Sequence, residues 1–301
     1  MKRSSLAVFL LVHWFAILLF MTGATVRAED FAATLRKAQD GDAHAQYELG
    51  LMYASGQGVP PDDEKSVTWY RKSSDQGNVL AQLHLGVMVA GGRGTRQDDQ
   101  EAVDLFRKAA SQNVACAQYN LGVMYAHGRG LPQNNDMAVR WFRRAAEQGY
   151  ANAQYNLGIM YAEGRGLRRN LQEAAKWFLL AARQGVAMAQ FKLGVAYHRG
   201  QGVARDAREA LTWFRKAAEQ GNARGQYNLG VMYSFGQVVK EDFIQAYMWY
   251  TLASSQGYQH ANIKLTSLAA RMTPDEIARA KALASQWQPK KGEGGSALAI
   301  Q

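Results

Sequence analysis

The chain has 301 residues, and its 35 lysine and arginine residues outnumber 25 acidic residues, which gives a formal net charge of +10. A single cysteine, Cys116, excludes an internal disulfide framework. Beyond the N-terminus no apolar stretch is long enough to cross a bilayer, so we expect the mature protein to be soluble.

Residues 1–28 have the pattern of a secretory signal peptide. Lys2 and Arg3 precede an apolar run over residues 6–21, and small residues offer a cleavage site after Ala28. The alternative is an uncleaved membrane anchor, although a span needs about 20 apolar residues and this run is shorter. Cleavage would remove three positive charges and no acidic residue, leaving +7. We therefore expect an exported protein, either periplasmic or secreted.

A short capping helix is predicted over residues 29–40, and it precedes a region, residues 41–268, that repeats with a period of 36 residues. Such a period indicates a stacked array of one supersecondary unit whose core is buried between neighbours. Six glycines mark the period: Gly50, Gly86, Gly122, Gly158, Gly194 and Gly230. The six full repeats are 41–76, 77–112, 113–148, 149–184, 185–220 and 221–256, and a half repeat covers 257–268.

Each repeat has the composition of two antiparallel helices. The first segment is rich in Ala, Leu, Tyr and Met, and it ends at a Gly-x-Gly turn such as Gly128 and Gly130. The second segment carries a tryptophan in five of the six repeats, such as Trp141, and ends in Gln-Gly or a close variant. A glycine inside the first helix, such as Gly122, costs about 1 kcal/mol relative to alanine. We therefore expect the second helix to approach closely there, with the tryptophan packing nearby.

The repeated segments include AQYNLGVMYAHGRGL (117–131) and AQYNLGIMYAEGRGL (153–167). This pattern resembles the Sel-1-like repeat family, which is related to the tetratricopeptide repeats. The resemblance implies an all-α fold, a right-handed superhelical solenoid of 36-residue helix-turn-helix repeats. It also implies a role as an adaptor or scaffold for other proteins. Some exported relatives carry a disulfide in each repeat, and this chain departs from that pattern.

The C-terminal region, residues 269–288, contains the start signal of a last helix. Thr273 is placed as its N-cap, Pro274 as its first residue and Glu276 as the partner in a capping box. We predict a capping helix over residues 274–287, followed by a disordered tail over 289–301.

Catalytic motifs are missing from the sequence. It contains no Ser-x-x-Lys, no Gly-x-Ser-x-Gly and no His-Glu-x-x-His. We predict no catalytic residue, no metal site and no cofactor. Cys116 is interpreted as a small half-buried residue, and acidic pairs such as Asp98 and Asp99 as favourable charges at the start of second helices.

Basic pairs recur in the second helix, for example Arg143-Arg144 and Arg215-Lys216. They indicate a solvated face near the helix C-terminus, where cations are favourable. The alternative is a track for a polyanion such as lipopolysaccharide or acidic polysaccharide. We expect no nucleic acid partner for an exported protein.

A ligand is expected on the concave face, which by analogy with the tetratricopeptide fold is lined by the first helices. Counted from the first residue of each repeat, positions four and eight carry residue types that vary between repeats, whereas the core positions repeat. Positions four and eight lie on one helical face. Asparagine recurs at position eight, where it could bind a peptide or sugar, or could bond between adjacent repeats to set their stacking. Methionine recurs at position twelve, as core or as an extension of the face. The predicted ligand-binding residues are His84, Asn120, Asn152, Asn156, Lys192, Arg224 and Asn228.

Three hypotheses follow. The first is a non-enzymatic exported scaffold that binds protein or peptide partners of the cell envelope and has no stable membrane insertion after signal cleavage. The second is a binder of cell-wall or anionic polysaccharide that uses the same groove and the basic surface. The third, a hydrolase of the cell wall or of β-lactams, lacks its motifs.

Overall fold

The computed structural model describes residues 30–290, and the regular secondary structure in this range is helical throughout. The predicted signal peptide and residues 291–301 of the predicted tail lie outside the described residues. The described chain divides into two compact parts, residues 30–133 and 134–290. Consecutive helices pack against each other within each part, which confirms the predicted all-α fold of helix pairs.

The helices follow the period of the sequence. The N-terminal part contains α1 (30–39), α2 (Ala43–Ser55), α3 (Asp63–Asp75), α4 (Val79–Gly91), α5 (Asp99–Ser111) and α6 (Ala115–His127). The C-terminal part contains α7 (Asn135–Glu147), α8 (Ala151–Glu163), α9 (Leu171–Arg183), α10 (Ala187–Arg199), α11 (Ala207–Glu219), α12 (Ala223–Ser234), α13 (Phe243–Ser255), α14 (Gln259–Ala269) and α15 (Pro274–Gln286). We call the first helix of each repeat helix A (α2, α4, α6, α8, α10 and α12) and the second helix B.

Helix boundaries are set by local side chains. Every helix B starts after an aspartate or asparagine whose side chain accepts a backbone N–H of the first turn, as Asp62 accepts from Lys65 at 3.0 Å. The acidic residues predicted at these starts are therefore capping or first-turn residues. Five of the six helices A end at a glycine in the left-handed conformation, such as Gly164 at φ +72°.

The glycine inside helix A lies against an aromatic ring of helix B in the same repeat. A Cβ atom added to Gly158 would lie 2.7 Å from Cδ1 of Phe178, a ring that is only 5% exposed. The predicted close approach is confirmed, but the predicted partner was wrong. The nearest ring belongs to the residue after the tryptophan position. The tryptophan itself is half-buried in three repeats and buried at Trp213 (6% exposed) and Trp249 (7% exposed). The same pairing joins Gly50 to Tyr70, Gly86 to Phe106, Gly194 to Phe214 and Gly230 to Tyr250.

Methionines at repeat position twelve belong to the core. Met88, Met124, Met160 and Met232 are each at most 4% exposed, whereas Met52 in the first repeat is half-buried. The core interpretation of these methionines therefore holds for four of the five.

The second glycine of the Gly-x-Gly turn contacts the preceding repeat. Gly202 has φ +79°, and a Cβ there would lie 2.0 Å from the carbonyl oxygen of Leu171, the first residue of the preceding helix B. In the last full repeat this position is Val238, which has φ +68°. A β-branched residue is strained in this conformation. The turn that contains it also exposes Phe235 (59%) and Val238 (46%).

Both ends of the described chain carry a helix outside the full repeats. In the N-terminal part, Phe31 of α1 lies edge-on to Tyr53 at 5.8 Å between ring centroids. At the other end, α15 begins with the predicted capping box of Thr273 and Glu276. It packs on α13, and Trp287 then lies 6.0 Å from Trp249 between ring centroids.

Candidate functional site

In the C-terminal part, each helix A combines buried core positions with accessible ones. Counting from the first residue of each repeat, positions five, six, nine and twelve are buried in α8, α10 and α12, and positions four and eight are exposed or half-buried. We call the accessible residues at positions four and eight of α8, α10, α12 and α14 the stripe. It consists of Asn152, Asn156, Met188, Lys192, Arg224, Asn228, His260 and Lys264.

Five of the seven predicted ligand-binding residues belong to the stripe: Asn152, Asn156, Lys192, Arg224 and Asn228. Arg224 is exposed and the others are half-buried. The side-chain amide of Asn228 donates to the carbonyl of Arg224 at 2.8 Å, a bond within one helical turn. Its carboxamide oxygen has no partner among the described residues, and can accept a hydrogen bond from a ligand.

Asn120 does not lie on an accessible surface. Its side chain is 0% exposed, and Cys116, one turn earlier on α6, is also buried. A ligand on an open face cannot reach a fully buried carboxamide, so the prediction of Asn120 as a ligand-binding residue was wrong. Cys116 is more buried than the half-buried residue we expected.

His84 lies among aromatic rings in the N-terminal part. Its two ring nitrogens are each 3.4 Å from a hydroxyl oxygen, that of Tyr47 and that of Tyr70. Burial lowers the pKa of His84, and burial raises the pKa of Tyr70. The imidazole is therefore held neutral between two protonated phenols. Its polar atoms face these tyrosines, so His84 is better explained as a packing residue than as a ligand contact.

The basic pairs of helix B are largely occupied by contacts within the protein. The first member reaches the next helix A, as Arg143 donates to the hydroxyl of Tyr161 at 2.8 Å. The second member lies over the ring of a tryptophan in its own helix: the Lys216 ammonium, for example, is 4.5 Å from the ring centroid of Trp213. These contacts favour the solvated-face interpretation over a continuous polyanion track.

Buried glutamines form a repeated network that sequence reasoning missed. Gln154 of α8 donates to the carbonyl of Ala146 in the preceding helix B at 3.2 Å, and it accepts from Gln184 at 2.8 Å. The signal was present, because every full repeat has a glutamine at position six and another at position thirty-six. Glutamine is usually exposed, so a repeated glutamine in an apolar helix indicates a structural hydrogen bond. The position-six glutamines are Gln46, Gln82, Gln118, Gln154, Gln190 and Gln226, each at most 5% exposed.

Metal ligands do not cluster in the described part of the chain: residues 30–290 contain no group of three or more His, Cys, Asp or Glu side chains arranged to hold a metal ion. Over the same residues no helix is long and apolar enough to cross a membrane. The accessible chemistry of the stripe consists of amides, cations, an imidazole and a thioether, which suits reversible binding.

Comparison with known proteins agrees with this architecture. The family model of the Sel1 repeat matches six successive segments of the chain: residues 43–78, 79–114, 117–150, 151–186, 187–222 and 223–258. A Sel1 repeat protein from Oxalobacter formigenes, known from a crystal structure, is 37% identical in sequence to this chain. The match covers 81% of this chain and 74% of the O. formigenes chain, with a TM-score of 0.73. A second similar structure is that of c5321, a protective antigen present in uropathogenic Escherichia coli strains displaying an SLR fold. Its sequence is 31% identical to this chain, and the match covers 86% of this chain and 64% of the c5321 chain, with a TM-score of 0.61. No curated protein matches the chain. The six matched repeats and these two structures establish that the chain belongs to the Sel1 repeat family.

Proposed function

We propose that this protein is an exported, non-catalytic scaffold that binds a protein partner through the stripe. The observation that carries the proposal is the contrast within helix A. Its buried positions repeat the same residue types, whereas position four of the stripe has a different residue in each helix: Asn152, Met188, Arg224 and His260. Fold requirements explain the repeated residues. Variation at an accessible position is what a binding surface on a repeat scaffold requires.

Membership of the Sel1 repeat family supports a protein partner, since repeats of this kind suggest interaction scaffolds. Support for export comes from residues 1–28, whose charge and apolar run have the form of a signal peptide. The similar E. coli protein is a protective antigen, which is compatible with an envelope location for this chain as well.

The experiment is site-specific photo-cross-linking in cells, using two matched positions of the C-terminal part. Met188 in the stripe is 37% exposed, and Leu180 on helix B is 42% exposed. A photoreactive amino acid at either position replaces an apolar side chain of similar exposure. We expect a discrete cross-linked protein from position 188 and none from position 180.

The same adduct from both positions, or none from position 188, would overturn the stripe as the binding surface. Cell fractionation of the same samples tests export, because an exported protein accumulates outside the cytoplasm without its first residues. Loss of capture only at high salt, with glycan in place of protein in the adduct, would favour the polysaccharide hypothesis instead.

A further inference from the structure

A cluster of three rings joins the first two repeats. Between ring centroids, His84 of α4 lies 5.5 Å from Tyr47 of α2 and 5.3 Å from Tyr70 of α3, and the two tyrosine rings are 5.9 Å apart. The imidazole Nε2 is within hydrogen-bond reach of the Tyr47 hydroxyl, and Nδ1 is within reach of the Tyr70 hydroxyl, both at 3.4 Å. The two ring nitrogens of His84 therefore connect α4 to both helices of the preceding repeat.

This combination of residues occurs at one junction of the sequence. Position thirty of the repeat is Tyr70 in the first repeat and phenylalanine in the next four, and position eight is histidine only in the second repeat. A phenylalanine has no hydroxyl, so a histidine between two tyrosines cannot form at the four junctions that follow. Asparagine occupies position eight in three other repeats, at Asn120, Asn156 and Asn228.

The hydrogen-bonding capacity of an imidazole changes with its charge. A neutral imidazole has one N–H donor and one acceptor nitrogen, so it can donate to one tyrosine hydroxyl and accept from the other. The protonated ring has two donors and no acceptor. The hydroxyl that donated to His84 must then turn away, and the new charge stays in a half-buried position. Burial disfavours that charge and lowers the pKa of His84.

Charged groups near the cluster act on its tyrosines. Glu48 of α2 raises the pKa of Tyr47, and burial of that phenol raises it more. Arg93, in the turn before α5, opposes the rise that burial causes in the pKa of Tyr70. Glu48 is paired within its own helix, and the Arg93 guanidinium lies 2.7 Å from a carboxylate of α3.

Charged side chains on α3 and α5, the helices that pack on α4, are either ion-paired or exposed. The further ion pairs of these two helices are Lys65 with Asp62, Arg71 with Glu101, Arg107 with Asp104 and Arg129 with Asp99. The other exposed residues are Glu64, Lys72, Asp75 and Lys108. On α6, position eight is Asn120, which carries no charge. Burial therefore remains the cause of the lowered His84 pKa.

We propose that the junction between the first two repeats is acid-sensitive: protonation of His84 breaks one of its two tyrosine contacts and loosens α4 from α2 and α3. This regulatory device goes beyond the proposed function, since it lies in the N-terminal part and uses no stripe residue. The two contacts of one imidazole, which only its neutral form can satisfy together as donor and acceptor, carry the proposal.

The direction of the pH effect follows from the burial of the imidazole. Folding lowers the pKa of His84, so the unfolded chain binds this proton more readily than the folded protein. The stabilisation is complete above the unfolded pKa, about 6.5, and it is lost as the pH falls from that value towards the lower folded pKa. Mild acid should therefore open the junction, and neutral pH should keep it closed.

Histidine-selective NMR of the full mature protein tests the first step without any variant in the titrated sample. The His84 resonance is identified by its absence from the spectrum of His84→Asn. We expect its titration midpoint to be lower in the native protein than in the same protein unfolded in urea. An equal or higher midpoint in the native protein would overturn the proposal.

Hydrogen–deuterium exchange tests the loosening itself. Wild type and His84→Asn are compared at the same pH, which cancels the intrinsic pH dependence of amide exchange. We expect the ratio of the wild-type to the variant exchange rate in α2, α3 and α4 to rise at least about threefold between about pH 7.5 and about pH 5.5. Asparagine is the replacement because other repeats carry it at this position, and His84→Gln replaces it should the first variant lose helicity.

The matched control is His260→Asn, which removes an exposed histidine from the C-terminal part. For this control, the ratio of wild-type to variant exchange in α2, α3 and α4 should be the same at both pH values. A ratio for His84→Asn that does not change with pH would overturn the proposal. An equal rise for His260→Asn would also overturn it, because the acid effect would then not belong to His84.

Discussion

The glycine inside helix A gives the sharpest test of how the repeats pack. In a helix interior, replacing glycine with alanine normally stabilises by about 1 kcal/mol. At Gly158 the new Cβ would lie 2.7 Å from both Cδ1 and Cε1 of Phe178 and 3.3 Å from the carbonyl oxygen of Ala174. Normal carbon–carbon contacts are about 3.5–4.0 Å, so the ring must move by about 1 Å within a packed core.

Overpacking of this size costs about 1–3 kcal/mol. Because the ring is buried and two of its atoms overlap the new methyl group, we take the upper end of that range. Subtracting the propensity gain of about 1 kcal/mol leaves Gly158→Ala destabilising by about 2 kcal/mol. The opposite sign is expected for Gly91→Ala. This glycine is also helical, but it is exposed, and its added Cβ would meet only Arg93 Cγ at 3.9 Å.

The assay is urea unfolding followed by circular dichroism, with both variants compared with wild type. Phe178→Leu should be less damaging in the Gly158→Ala background than alone, because the smaller side chain vacates the space that the methyl group needs. Stabilisation by Gly158→Ala equal to that of Gly91→Ala would refute the argument that the ring excludes a Cβ.

The remaining predictions concern hydrogen bonds, charge and strain. Gln154→Ala leaves buried polar groups unpaired, so it should lower the free energy of unfolding, measured in urea, by about 1–3 kcal/mol. The control Gln172→Ala, at the exposed start of α9, should change that free energy by less than about 0.5 kcal/mol. The hydrogen bond from Arg129 lowers the pKa of Asp99, so the Asp99 carboxylate binds a proton less readily in the folded protein than in the unfolded chain. The resulting stabilisation is present above the unfolded pKa of Asp99, and it is lost as the pH falls through the lowered folded pKa. Asp99→Asn should flatten the acid limb of a stability–pH curve, and an unchanged limb would contradict the pairing. Val238→Gly should raise the melting temperature because it relieves a β-branched residue at φ +68°, while Gly202→Val at the equivalent position should lower it because its Cβ would overlap a carbonyl oxygen.

Sequence periodicity predicts the helices well because both the spacing of apolar residues and the capping residues are local properties. The start of α15 at Pro274 follows directly from its capping box. Which residue meets the glycine of helix A is not local. Trp141 and Phe142 are adjacent, and the sequence cannot show which of the two points inward without the rotation of helix B about its axis.

The candidate site was predictable only in part, for the same reason. Position eight is accessible at Asn156, Lys192 and Asn228 but fully buried at Asn120, although all four occupy equivalent places in the repeat. Burial is a property of the folded chain, and the position of a residue in the repeat does not determine it. The glutamine network was missed because composition alone does not distinguish a buried polar residue with partners from an exposed one.

The most direct test of the account is hydrogen–deuterium exchange of the full mature protein with and without its cross-linked partner. The account predicts slower exchange in α8, α10, α12 and α14, which carry the stripe residues, with α9, α11 and α13 unchanged. Protection confined to α9, α11 and α13 would contradict it, because the partner would then bind the helix B surface.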